Sequence, residues 1–327
     1  MATIHEVAAS AGVSVATVSR VVNNSGPVSE KTRKRVVKAI ESLNYEPSML
    51  GRNLRNSESR LLLVMLPSIS NPFYSEIING IETAAVARGY NILLCETDSK
   101  PEREMIYFNM LRNRLADGII SMDPTVNRQK LQEMADDYPI VQCSEYDRES
   151  TISYVTIDNE LAAYQAVRHL IKLGQKRIAL INSDEKYLYA RERRQGYERA
   201  MRKFGLPVNK KWIYHADRME FQSGQQAIKL LMKQPERPTA VFAVSDIYAI
   251  GALKEINIQG LKVPEDIAVV GFDKISFSNM TYPTLTTVAQ PMYRMGSIAA
   301  DMVIQKINGK KVDSIILDHE LIIREST

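Results

Sequence analysis

The chain has 327 residues, 45% hydrophobic and 24% charged, a balance expected of a soluble globular chain with room for two or three domains. No apolar run is long enough to span a bilayer, the densest being Leu61 to Leu66, and the N-terminus lacks the basic-then-apolar pattern of an export signal, so a cytoplasmic protein is expected. The net charge is only +4, yet the whole excess lies in residues 1–60, where nine cations (Arg20, Lys31, Arg33, Lys34, Arg35, Lys38, Arg52, Arg55, Arg60) face five acids (Glu6, Glu30, Glu41, Glu46, Glu58).

A basic head on a neutral body is the electrostatic footprint of a nucleic-acid binder, although a solvated surface with a chance imbalance gives the same count. Thr3 and Glu6 form a capping box that opens a first helix, with Ile4, Val7, Ala8 and Ala11 on one face. Gly12 stops it. Ser14 caps a second helix whose buried stripe is Val18, Val21 and Val22. The link Gly12-Val13-Ser14 is too short for anything but a steep crossing, as in a helix-turn-helix. Val15 and Ala16 are expected on the exposed first turn and Arg20 one turn on. Small apolar groups there suit thymine methyls, and an arginine suits guanine. Ser14, Thr17 and Ser19 have hydroxyls of the right reach for phosphates. A third helix starts at Ser29, turns Val36, Val37, Ile40 and Leu43 inward, and carries Lys31, Arg33, Lys34, Arg35 and Lys38 outward, towards a phosphate backbone or plain solvent. An αα-hairpin without a DNA role carries the same short-range signature.

Residues 1–46 are thus expected to form a DNA-binding domain. Residues 47–58 follow as a hinge. Ser48 to Arg55 allows two helical turns with Leu50 and Leu54 at i and i+4, marginal alone in water. Leu54 between Arg52 and Arg55 suits a minor-groove wedge; the Gly51, Asn53, Asn56 and Ser57 content equally fits a plain linker.

From residue 59 onward, short apolar strands alternate with amphipathic helices. Strands are expected at 61–66, 91–95, 118–122, 140–143, 154–157, 177–181, 240–244 and 267–270, and helices at 74–88, 102–113, 161–173, 193–204, 222–233 and 247–258. Regular alternation means parallel, doubly wound sheets, and about 270 residues is too many for one sheet. Two Rossmann-like lobes are expected, and with no linker between them the chain crosses more than once. Ligands of such sheets bind beyond the carboxyl ends of the strands, here the cleft. Phe73, Tyr74, Arg193, Ser245 and Asp273 sit on such loops, with Asp246 read either as a ligand contact or as a helix cap. An Arg–Asp pair with hydroxyls and an aromatic wall suits a polyhydroxylated neutral ligand.

Enzyme signatures are absent. There is no G-x-G-x-x-G, P-loop, G-x-S-x-G, C-x-x-C or H-E-x-x-H, and the four histidines (His5, His169, His215, His319) lack metal-ligand spacing. No cofactor, metal or enzymatic activity is expected, and Cys95 and Cys143 read as buried free thiols. A purely ligand-binding protein of periplasmic type would carry an export signal and no helix-turn-helix.

Thr3-Ile4, Val7-Ala8, Ala11-Gly12-Val13-Ser14, Thr17-Val18-Ser19-Arg20-Val21 and Asn23 resemble the head of the lactose-repressor/galactose-repressor (LacI/GalR) family. The similarity continues through Val28-Ser29, Leu43-Asn44-Tyr45, Asn71-Pro72-Phe73, Asp117-Gly118, Ile157-Asp158-Asn159, Gly196-Tyr197, Ser245-Asp246, Val270-Gly271-Phe272-Asp273 and Gln290-Pro291. It implies a transcriptional repressor with a two-lobed core like that of periplasmic sugar-binding proteins. The lobes would comprise residues 60–159 with 289–320 and residues 160–288 with 321–327. It further implies a homodimer, in some members a tetramer, on a palindromic operator in the nucleoid. DNA contacts would come from Thr3, Ser14, Val15, Ala16, Thr17, Ser19, Arg20, Asn23, Leu54 and Arg55. Positions matching Phe73, Arg193, Ser245 and Asp273 contact effector in the family. Two effector positions differ from many members: Met219 stands where an aromatic residue stacks on ligand, and Ser144, followed by Glu145, where an aspartate stands. Asn71-Pro72-Phe73, Ser75-Glu76-Ile77-Ile78 and Glu320-Leu321-Ile322-Ile323 are especially similar to the cytidine-responsive branch, which adds a nucleoside to sugars as the expected ligand class. An activator role, or control by a protein corepressor, is compatible with the same residues. No leucine heptad closes the chain, so a dimer is expected.

Overall fold

The computed structural model describes residues 2–45 and 58–327. The chain divides into two compact units, Met1–Ser59 and Arg60–Thr327. The hinge expectation, with Leu50, Leu54 and Arg55, lies outside the described residues.

The head has three helices, α1 (Ile4–Ala11), α2 (Val15–Val22) and α3 (Glu30–Ser42). The capping box closes as the sequence requires: the Thr3 N–H donates to Glu6 Oε2 at 2.7 Å and the Glu6 N–H donates to Thr3 Oγ1 at 3.3 Å. Gly12 ends α1 at φ 60°, where a residue without a Cβ pays no steric cost. Val7, Ala8, Ala11, Val18, Val21, Val36 and Ala39 form a small core. Two inward assignments change. Val37 is 41% exposed, because the stripe of α3 runs Val36–Ala39–Ile40–Leu43 at helical spacing and position 37 falls off it. Val22 is only half-buried, while Ser19 is buried on the inner side of α2.

The larger unit holds two six-stranded sheets. In chain order its elements are β1 (Leu61–Leu66), α4 (Phe73–Val86), β2 (Asn91–Glu96), α5 (Pro101–Arg112), β3 (Gly118–Ser121), α6 (Arg128–Asp137), β4 (Ile140–Cys143) and β5 (Tyr154–Ile157). There follow α7 (Asn159–Lys172), β6 (Ile178–Asn182), α8 (Leu188–Lys203), β7 (Ile213–His215), α9 (Phe221–Leu231), β8 (Ala240–Ala243), α10 (Asp246–Ile258) and β9 (Ala268–Asp273). The unit ends with β10 (Thr286–Ala289), α11 (Met292–Ile307), β11 (Ile315–Leu317) and β12 (Glu320–Ile322). The first sheet has the order β11-β5-β4-β3-β1-β2 and is parallel throughout. The second has the order β12-β10-β9-β8-β6-β7 and is parallel except for β12. The chain passes from the first sheet to the second after β5, returns with α11, and passes over again between β11 and β12. Central strands such as Leu61–Leu66 are unbroken apolar runs because helices cover both faces.

The sequence expectations missed β7, β10, β11, β12, α6 and α11. The four strands have three or four residues each, too few for a periodicity to show. Helix α6 buries only Leu131 and Met134 in an otherwise polar stretch, and α11 is apolar over most of its circumference. Helices α4 and α11 pack at backbone contact: a Cβ on Gly296 would lie 1.9 Å from the Ile77 carbonyl oxygen, and one on Gly80 2.0 Å from that of Tyr293. Helices α7 and α8 meet the same way at Gly196, where a Cβ would lie 2.2 Å from the Glu160 carbonyl oxygen. That approach brings Arg193, on α8, to the first residue of α7.

Candidate functional site

In the head, Ser14 caps α2 by accepting the Thr17 N–H at 3.2 Å, and Ser29 caps α3 by accepting the Thr32 N–H at 3.3 Å. Each serine also shares a 2.9 Å hydroxyl–hydroxyl contact with its threonine. Both helix N-termini open on one hollow of about 340 Å³ lined by Val13, Ser14, Thr17, Arg20, Val28, Ser29 and Thr32 among others. Two helix N-termini and a guanidinium around one hollow are suited to a phosphate. Ala16 and Arg20 are exposed, and the Arg20 carbonyl accepts the Ser25 N–H at 3.0 Å. Thr3 and Asn23 are also at the surface. Two expectations are corrected. Val15 is half-buried against the head's core, because the first turn of α2 leans on it. Ser19 is 5% exposed, and its carbonyl and hydroxyl oxygens accept the Asn23 amide at 2.9 and 3.2 Å. Ser19 therefore shapes the end of α2 rather than presenting a hydroxyl to phosphate. The hydroxyls of Ser29 and Thr32 were missed as partners of Ser14 and Thr17, although both pairs carry the same S-x-x-T spacing.

In the core, the carboxyl ends of the two sheets face a common cleft. On the second lobe, Asp273 ends β9 with Ser245 at the end of the neighbouring strand's turn. Ser245 Oγ donates to Asp273 Oδ2 at 2.8 Å, Gln290 Nε2 donates to Oδ1 at 2.7 Å, and Arg193 Nη1 lies 3.5 Å from Oδ1. Arg193 also donates from Nη1 to the Val244 carbonyl at 2.5 Å and from Nε to Asn159 Oδ1 at 2.9 Å. Its guanidinium stacks over Phe272 at 3.6 Å and Tyr189 at 5.0 Å, and among the described residues its hydrogen bonds run from Nε and Nη1. Burial pushes the Asp273 carboxyl up to about 6 against the pull of Arg193. Asp273 also has φ 112° and Lys274 φ 59°, a conformation that costs a non-glycine residue about 1–3 kcal/mol and persists only where surroundings over-determine it.

Asp246 is neither the cap nor at the surface. Ser245 caps α10, and the Asp246 carboxylate accepts the Thr287 hydroxyl at 2.6 Å and the Ile275 N–H at 2.9 Å, behind Asp273. Burial and the neighbouring Asp273 raise its carboxyl well above the usual range.

On the first lobe, Phe73 is buried with its ring edge-on to Tyr74 at 5.2 Å. Tyr74 is half-buried and packs edge-on to Phe73 of its own helix and on the core; burial, with Asp123, Tyr189, Glu145 and Tyr187 nearby, raises its hydroxyl well above the ordinary range. Asp123 accepts the Thr97 hydroxyl at 2.5 Å and the Ser99 hydroxyl at 3.2 Å. Ser144 is half-buried with φ 69° and engages through its backbone, its carbonyl accepting the Thr156 hydroxyl at 2.9 Å. Met219 is half-buried against the second lobe's core, just before α9.

The structure thus gathers Arg193, Ser245 and Asp273 into one hydrogen-bonded group, with Phe73 and Tyr74 on the first lobe. Sequence reasoning quoted Asn159 and Gln290 only within family motifs and gave them no site role, and it did not name Asp123, Tyr187 or Tyr189. Gln290 follows the unrecognised β10; Tyr187 and Tyr189 follow β6, where an aromatic pair after a strand was a usable signal. No helix among the described residues is long and apolar enough to cross a membrane.

The comparison with known proteins matches this layout. Residues 3–48 match the family described as bacterial regulatory proteins, lacI family, and residues 59–325 match the periplasmic binding proteins and sugar binding domain of the LacI family. The chain is similar to the HTH-type transcriptional repressor CytR of Escherichia coli strain K12, at 39% identity covering 100% of this chain and 96% of that one. It is similar to catabolite control protein A of Priestia megaterium, at 38% identity covering 99% of both. Among solved structures, the lac repressor dimer bound to operator and an anti-inducer superposes with a TM-score of 0.88 at 28% identity, covering 99% of this chain and 98% of that one. The transcriptional regulator CelR in complex with cellobiose does so at 0.75 and 30% identity over the whole of both chains. With both family models matched in sequence order on a helix-turn-helix head and a two-lobed core, the chain belongs to the LacI family and is a transcriptional regulator rather than an enzyme.

Proposed function

We propose that this repressor reads a palindromic operator as a homodimer through Ala16, Arg20 and the phosphate-facing caps Ser14, Thr17, Ser29 and Thr32. Its affinity is set by an uncharged polyhydroxylated molecule, a sugar or a nucleoside, in the cleft. One observation carries the ligand reading: a buried Arg193–Asp273–Ser245–Gln290 group in strained backbone at the carboxyl ends of the strands. Alternating donors and a carboxylate match hydroxyl groups, which both give and accept hydrogen bonds. The cellobiose in the CelR structure supports the sugar alternative. Coupling between ligand and operator is then a difference in affinity between two arrangements of the lobes. Such a protein works where the chromosome is, in the cytoplasm.

The dimer reading is supported by apolar surface on the edge strand β2 and its neighbours, where Leu93, Leu94, Ile106 and Leu115 are 40, 37, 58 and 47% exposed. Sedimentation at micromolar concentration checks it; a monomer mass would refute it. For the head, Arg20→Ala is expected to cost about 1–3 kcal/mol of operator affinity and to relax preference at one base pair per half-site. Equal loss on every DNA sequence, measured by competition binding, would assign Arg20 to phosphate instead.

A further inference from the structure

Away from the crossover segments, polar contacts reach between the two lobes from the loop between β4 and β5 and from Ser99. The loop between β4 and β5 belongs to the first lobe. Its Glu145 reaches the N-terminus of α8 in the second, accepting the Leu188 N–H at 2.5 Å on Oε1 and the Tyr189 N–H at 3.2 Å on Oε2. Helix α8 has no side-chain cap of its own, since its N-cap residue is Tyr187. Three residues on, Arg148 pairs with Glu192 of α8 at 2.5 Å. The Tyr187 hydroxyl donates to Ser99 Oγ at 2.9 Å, and Ser99 in turn holds Asp123. Ser144, at φ 69°, turns the loop so that Glu145 points across.

We propose that this loop is an inter-lobe clasp, in which Glu145 caps the opposite lobe's α8 and so holds the cleft closed before any ligand arrives. A carboxylate on two free N–H groups at a helix N-terminus is favoured by hydrogen bonding and by the helix dipole. Because α8 also carries Arg193, the clasp fixes where Arg193 stands against Asp273. Glu145 is therefore a positioning residue for the ligand site, and the inference rests on the reading of the cleft as that site.

The clasp is linked to protons. Burial raises the Glu145 carboxyl to about 7 despite its two N–H bonds, and burial raises Glu192 as well. The titratable groups around Glu145 include Tyr74 of α4; Arg128 of α6; Tyr189, Arg191, Glu192 and Arg193 of α8; Lys186 before α8; and Tyr146, Asp147, Arg148 and Glu149 of its own loop. Opening the cleft returns Glu145 to water and to its ordinary value of 4.5. The closed form thus holds more protons between pH 4.5 and about 7, and closure weakens as pH rises through that window.

The test needs neither ligand nor DNA. Spin labels on Glu133→Cys and Lys233→Cys in the full chain report the distance between the lobes; the native Cys95 and Cys143 are buried and their thiols are pushed up to about 12, so they stay unlabelled. The parent protein is expected to show one short distance without ligand, lengthening as pH is raised from 5 to 8. Glu145→Ala is expected to move the distribution to longer distances at all these pH values, and Arg148→Ala to do so in part. Glu145→Gln, which keeps one acceptor, is expected to flatten the pH dependence. An open parent, or an unchanged distance in both Glu145→Ala and Arg148→Ala, overturns the clasp. A wrong ligand class leaves this result untouched and shows instead as a ligand panel without a hit.

Discussion

Asp273→Asn is expected to shift the response to ligand to about 10- to 100-fold higher concentrations while leaving operator binding intact. Asp273 offers its carboxylate to three donors, and a ligand hydroxyl entering beside Arg193 would lean on the same charge. Hydrogen bonds to a charged group are worth about 1.5–3 kcal/mol, so the amide should weaken ligand binding about 10- to 100-fold. The fold should survive, because burial already holds the carboxyl up at about 6 and a neutral group fits the same space. The sign of the pH effect follows. A raised carboxyl contributes most to stability when protonated, so any advantage of Asp273 over asparagine shrinks as pH rises through about 6. A thermal-shift panel of sugars and nucleosides on residues 58–327, with the hit added to an operator-binding assay, checks this. Ligand at 100 times its Kd adds about 2.7 kcal/mol to the native state, an easily read rise in Tm. A variant whose Tm rises as much as the parent's would remove Asp273 from the site.

The second large effect is on stability. Gly296→Ala places a methyl 1.9 Å from a backbone oxygen of α4, and the mirrored contact at Gly80 prevents α4 from sliding aside. Backbone cannot give as a side-chain end can, so the two helices must separate. Overpacking of this kind costs about 3 kcal/mol. The denaturation midpoint of the core should fall with the slope unchanged. Helix α4 begins with Phe73 and Tyr74, so ligand binding should weaken too. An unchanged midpoint would mean that the helices are not in backbone contact.

Several features were legible along the chain because they are local. The capping box of Thr3 and Glu6, the stop at Gly12 and the caps at Ser14 and Ser29 each depend on residues within four positions, and each closes in the structure. The alternation of apolar strands with amphipathic helices needed only periodicity, and it gave two doubly wound lobes. Ser245 and Asp273 could be nominated because hydroxyl and charged groups stood just after strands; Arg193 was read at the start of a helix, and the structure corrects this by starting that helix at Leu188 and placing Arg193 in its second turn. The same local reasoning failed where a neighbour distant in sequence decides. Val15 and Ser19 looked exposed on a helical wheel, but the crossing of α1, α2 and α3 sets how much of α2 is covered. Strands of three residues such as β11 and β12 carry no pattern of their own and exist because a sheet edge pairs with them.

The sequence by itself determined the helix-turn-helix head, the parallel two-lobed class and the residue types available to the cleft, since propensity, capping and periodicity act over short stretches of chain. Only the tertiary structure decided that Asp246 stands behind Asp273, that Gln290 and Asn159 complete the Arg193 group, and that Glu145 reaches a helix in the other lobe. Those pairings join residues 17 to 80 positions apart; they form because close-packed helices bring the two sheets' ends together, and burial then obliges each polar group to find a partner.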